Sequence, residues 1–148
     1  MRCLIQVIGV ADSDGAETTE TICRGIVREL SSEQGGGFRF DYRTSDEENP
    51  SDVTANVITI TPDRAEIRRE GSVNATILVV PGETHPCHYE TAFGALSFAI
   101  AGHGVSVSKE DNKIVAGLSY TILAGDEPVS ENTIRIIAEP IRGGEEES

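Results

Sequence analysis

At 148 residues the chain has the size of one ordinary domain, large enough to bury roughly two-thirds of the surface that its unfolded form exposes. With 25 Asp and Glu against 12 Lys and Arg it carries a formal charge of −13, which repels nucleic acid and an anionic membrane alike. No apolar run approaches the roughly 20 residues of a membrane span, and the absence of Trp leaves Ile, Val, Leu and Ala, with four Phe and three Tyr, to build a strand-forming core.

Residues 2–10 read as a first strand rather than an export signal, because Gln6 and Gly9 interrupt the apolar run and no cleavage pattern follows. A cytoplasmic, reducing location is expected, with Cys3, Cys23 and Cys87 as free thiols. Residues 17–30 form a longer strand in which Gly25 suggests a bend or bulge, and Gly35-Gly36-Gly37 supplies a turn. Phe38, Phe40 and Tyr42 then alternate with Arg39, Asp41 and Arg43, the period of a strand with one aromatic face and one solvated face. The acidic run 45–52, broken by Asn49-Pro50, reads as a solvated loop.

Residues 53–61 and 64–70 pair across Pro62-Asp63, and 74–81 and 84–91 across Pro81-Gly82-Glu83. Residues 96–101 and 105–108 alternate on either side of Gly102-His103-Gly104, read as a turn, and Lys109 to Asn112 leads into 113–124. That strand pairs with 132–139 across residues 125–131. Short connections throughout give an up-and-down antiparallel meander of about eight to ten strands, which closes into a barrel because closure removes exposed edges. The expected organisation is one all-β barrel domain over 1–140 and an acidic tail over 141–148.

The segments Arg69 to Asn74 and Tyr89 to Leu96, with the strand around Tyr120, resemble the YwiB-like family of small bacterial proteins. The likeness spans nearly the whole chain and covers Gly25, Tyr42, Arg69, Gly71, Asn74, Tyr89, Thr91, Phe93, Gly94 and Tyr120. Ala92 stands where a proline is common. The resemblance implies a calycin or lipocalin-like closed barrel and implies no particular reaction.

Chemistry-bearing motifs are sparse. There is no Gly-x-Ser-x-Gly elbow, Gly35-Gly36-Gly37 lacks the lysine of a phosphate loop, and no cofactor is called for. In His85-Pro86-Cys87-His88 only His85 and Cys87 share a strand face, and even with His103 beyond the next strand nothing requires a metal. Phe93 and Gly94 read as a packing plug and a tight bend.

The candidate site is therefore the set of polar residues that a barrel turns inward: Arg69, Tyr89, Thr91 and Tyr120. A buried guanidinium left unpaired is costly, so Arg69 is either paired or anchors an anionic or carbonyl-bearing ligand with tyrosine hydroxyls as further donors. Three readings follow: a binding module for a small apolar or amphipathic ligand, an acid–base enzyme using Tyr120 and Arg69, and a non-catalytic homo-oligomeric interaction protein, such as a homodimer, that uses a strand edge or the outer face of the barrel. An interior filled by Phe38, Phe40, Phe98 and the isoleucines counts against an open apolar cavity.

Overall fold

The computed structural model describes residues 1–45, 48 and 51–141. Ten strands follow in chain order: β1 (Arg2–Asp12), β2 (Ala16–Glu29), β3 (Phe38–Ser45), β4 (Val53–Ile60), β5 (Ala65–Glu70), β6 (Asn74–Val79), β7 (Thr84–Thr91), β8 (Gly94–Glu110), β9 (Lys113–Ala124) and β10 (Glu127–Pro140). Each pairs antiparallel with its sequence neighbours, and β1 pairs with β10, so the sheet is a closed barrel at the upper end of the expected strand count. A short 3-10 helix, Ser32–Gln34, precedes the glycine turn into β3. Among the described residues no helix is long and apolar enough to cross a membrane.

Three sequence expectations are corrected. Gly25 makes no bulge: the β1–β2 register runs unbroken past it, and a Cβ there would lie 2.4 Å from the Asp41 carbonyl oxygen and 2.5 Å from Ile5 Cδ1. The missing side chain is thus a requirement of close packing. Gly102-His103-Gly104 is not a turn but a bulge within the 17-residue strand β8, which keeps pairing with β9 on both sides of it. The last connection is tighter than 125–131, with β10 starting at Glu127 and the register slipping at Val129, a second bulge between Pro128 and Ser130.

The acidic connection after β3 falls largely outside the described residues, as does the tail from residue 142. Cys3, Cys23 and Cys87 are free thiols.

Strand alternation sorts the interior into layers. Across β3 to β6, register places Phe38, Ile60, Ala65 and Val79 in one row, and Phe40, Ile58, Ile67 and Ile77 in the next. All eight are buried, and with Ile5, Val27, Ile100, Ile114 and Ile136 they form one core cluster. This end of the barrel is filled. Two residues further along the same strands the row reads Gly25, Tyr42, Asn56, Arg69, Ala75, Tyr89 and Leu96, and the chemistry turns polar.

At that polar end the barrel wall parts. Among the described residues β2 pairs with β3 only from Gly25 to Glu29, while its first nine residues, Ala16 to Arg24, pair with β1 alone. The strands diverge beyond Tyr42 and leave a mouth between them. A second, looser seam lies between β6 and β7, where register extends over just two pairs, Asn74 with Glu90 and Ala75 with Tyr89.

Candidate functional site

The mouth opens into a cleft of about 550 Å³, lined by Val7, Val10 and Ala11 of β1, Glu17, Thr19 and Thr21 of β2, Tyr42 and Thr44 of β3, Thr54 and Asn56 of β4, Arg69 of β5, Val73, Tyr120 of β9 and Asn132 to Ile134 of β10. Arg69 is held here by its local sequence. It is the penultimate residue of β5, and the turn that follows is set by Gly71, which lies at φ +148° with its α-carbon against the Val53 carbonyl, where a Cβ would sit 2.3 Å from the oxygen. Asn74 closes that turn, accepting from Gly71 N at 3.3 Å and donating to Gly71 O at 3.2 Å. The family-like string Arg69 to Asn74 is thus one cationic side chain and the turn that aims it.

Arg69 is half-buried and, among the described residues, its guanidinium makes one hydrogen bond, from Nη1 to Tyr89 Oη at a long 3.4 Å. No carboxylate among them pairs with it. The hydroxyls of Tyr42 and Tyr120 likewise meet no protein partner among the described residues, although both rings are buried, at 8% and 5% exposure. The guanidinium and the two hydroxyls therefore face one space with a single long hydrogen bond among them. Burial raises both tyrosine pKa values, against the opposing field of Arg69, so each hydroxyl remains a neutral donor around neutral pH. The same guanidinium field reaches Cys87, whose thiol burial pushes up.

Of the four residues singled out in the sequence, Arg69 and Tyr120 line the cleft, and Tyr89 reaches it only through Arg69. Thr91 does not come to it. Its hydroxyl closes the β7–β8 turn, accepting from Phe93 N at 3.1 Å and donating to Gly94 O at 3.2 Å. Phe93 is no packing plug: it sits fully exposed at the tip of that turn, while Gly94, at φ +130°, is the tight bend expected.

Tyr42, Asn56 and Asn132 belong to the site and were missed. Asn56 is 5% exposed and donates from Nδ2 to Thr44 Oγ1 at 3.1 Å and Thr54 O at 3.2 Å. Asn132 donates to Ser130 Oγ at 3.0 Å. The available signal was alternation, because Asn56 shares a face with Ile58 and Ile60, where an amide needs a reason.

The histidine segment does not gather. His85 Nε2 lies 2.9 Å from Glu83 Oε1, Cys87 is buried in the core, His88 Nδ1 lies 3.1 Å from Ser97 Oγ, and His103 bonds to Thr121. Among the described residues no three His, Cys, Asp or Glu side chains are placed to share an ion. A broader outer hollow of about 810 Å³ lies over the β6–β7 seam and also touches Arg69; on its lining Arg68 pairs with Glu66 at 3.2 Å and His85 with Glu83 at 2.9 Å.

Residues 5–136 match the family model described as Domain of unknown function (DUF1934). The chain belongs to this family. Among solved structures, the DUF1934 chain is similar to the crystal structure of the ywiB protein from Bacillus subtilis, with a TM-score of 0.78 at 15% sequence identity over 95% of this chain and 92% of that one. At that identity the likeness shows the fold alone, the closed antiparallel barrel, and carries no ligand with it. No curated protein matches the chain.

Proposed function

We propose that this DUF1934 barrel is a binding module for a small amphipathic anion, held in the cleft with its anionic group on Arg69 and its apolar part along Val7, Val10 and Ile134. The observation that carries this is a half-buried guanidinium with one long hydrogen bond and no carboxylate partner among the described residues, beside the hydroxyls of two buried tyrosines that open to the cleft without a protein partner there. Folding alone gives no reason to keep three such donors together, since each loses hydration on burial. A carboxylate would accept from all three.

The filled lower layers count against a deep apolar ligand, so the bound molecule is short and lies near the mouth. An acid–base enzyme has the convergence it needs in Arg69 and Tyr120. Burial, however, suits Tyr120 to donating a proton rather than removing one, and the carboxylate on the lining, Glu17, is exposed at the rim.

Calorimetric titration with octanoate, and with octanol as its uncharged counterpart, tests the reading. Octanoate binds the native protein, octanol binds at least about tenfold more weakly, and Arg69→Met abolishes the difference. Because the whole protein is strongly anionic while the contact is partly buried, association of octanoate quickens as salt rises from about 0.01 to about 0.15 M. Equal binding of octanoate by native and Arg69→Met protein, or none by either, would overturn the proposal.

A further inference from the structure

The cleft has two sides of different chemistry. Its back wall is apolar, with Val7 of β1 and Ile134 of β10 facing inward over the core. Its lips are not. On β2 the inward positions beside the opening are Glu17, Thr19 and Thr21, and Thr21 stands directly opposite Val7. Across the gap Thr44 of β3 stands directly opposite Thr54 of β4, two residues, or about 7 Å, nearer the opening than Tyr42 and Asn56.

Strand propensity does not call for these threonines, because valine serves a strand as well and β1 uses it at the inward position opposite Thr21. Nor are their hydroxyls spent inside the protein. Thr44 Oγ1 accepts from Asn56 Nδ2 at 3.1 Å and keeps its own proton to give, while the hydroxyls of Thr21 and Thr54 meet no protein donor or acceptor among the described residues. All three residues are half-buried, so the cleft is where their hydroxyls reach water. A bound molecule that fills the cleft displaces that water, and a purely apolar chain end would cover the hydroxyls and return no hydrogen bond. A hydroxyl at the same height accepts and donates in place of the water.

We infer that the molecule held in the cleft is a hydroxylated carboxylate, with its carboxylate on Arg69, its carbon chain along Val7 and Ile134, and a hydroxyl at the far end of that chain between Thr44 and Thr54. This rests on Arg69 capturing the carboxylate and adds what the lips select.

Titration calorimetry with octanoate, α-hydroxyoctanoate and ω-hydroxyoctanoate separates the two parts of the site. All three carry the carboxylate, and only the ω isomer brings a hydroxyl to the lips. The native protein binds ω-hydroxyoctanoate about fivefold or more tighter than octanoate, and α-hydroxyoctanoate no tighter than octanoate. Thr44→Val with Thr54→Val erases the preference, whereas Thr44→Ser with Thr54→Ser keeps it, which distinguishes a lost hydroxyl from a disturbed strand. If octanoate binds and the ω isomer binds no tighter, or the α isomer gains as much, or the valine pair keeps the preference, the inference is overturned while carboxylate capture by Arg69 stands. Binding of none of the three overturns both.

Discussion

Strands β3, β4 and β5 each contribute to two neighbouring rows of the barrel interior, and the rows differ in what they are for. Phe40, Ile58 and Ile67 stand side by side with 0%, 1% and 1% exposure. Two residues along, on the same inward face, stand Tyr42, Asn56 and Arg69. The first row is explained by folding: apolar side chains leave water, at about 25 cal/mol per Å². The second is explained only in part: Asn56 is hydrogen-bonded to Thr44 and Thr54 O, but a guanidinium and a hydroxyl with little or no protein partner among the described residues cost desolvation that packing does not return. Where a fold keeps groups that folding does not need, the reason lies in what they meet.

That contrast can be broken at either row. Phe40→Ala empties the filled end, where the neighbours are held by the sheet and cannot collapse, and lowers unfolding free energy by about 3–5 kcal/mol in urea titration. Gly25→Ala forces a methyl group against Asp41 O and Ile5 Cδ1 at the boundary between the rows, and costs about 1–3 kcal/mol in the same assay. Asn56→Ala removes the donor that Thr44 and Thr54 O accept from, lowering stability by about 1–2 kcal/mol. Arg69→Met moves stability by less than about 1 kcal/mol in either direction, since the replacement fills similar space without a charge to desolvate.

Alkali separates the rows by a different route. Burial raises Tyr42 and Tyr120 above their ordinary 10.0, and Cys3 and Cys87 above 9.0. The folded state holds these protons more tightly than the unfolded chain does, so their contribution is complete below pH 9 and is lost as pH climbs past 9 and 10 through the folded values. Thermal melting should fall over that interval. Tyr42→Phe with Tyr120→Phe should flatten the upper part of the fall and leave neutral-pH stability nearly unchanged.

The barrel was legible in the sequence because every strand announces itself within a few residues: Phe38, Phe40 and Tyr42 by alternation, and Pro62-Asp63 or Gly82 by turn chemistry. What was hidden depends on contacts between distant strands. Gly25 looked like a bulge because its reason, Ile5 and Asp41, lies on two other strands. Gly102 and Gly104 looked like a turn because local composition cannot tell a bulge from a chain reversal. Arg69 and Tyr120 were recognisable as inward polar groups, whereas Tyr42 and Asn56 joined them only once register set all four around one cleft. Thr91 was misjudged since a threonine three residues before a turn glycine serves the turn first.

Amide chemical-shift mapping during an octanoate titration distinguishes the two rows in a single experiment. Binding at the mouth shifts the amides of Tyr42, Asn56, Arg69, Tyr120 and Asn132 saturably and leaves those of Phe40, Ile58, Ile67 and Ile77 in place, and Arg69→Met removes the response. Saturable shifts centred on the lower row, or an unchanged spectrum in the native protein at millimolar octanoate, would contradict a ligand site built on Arg69.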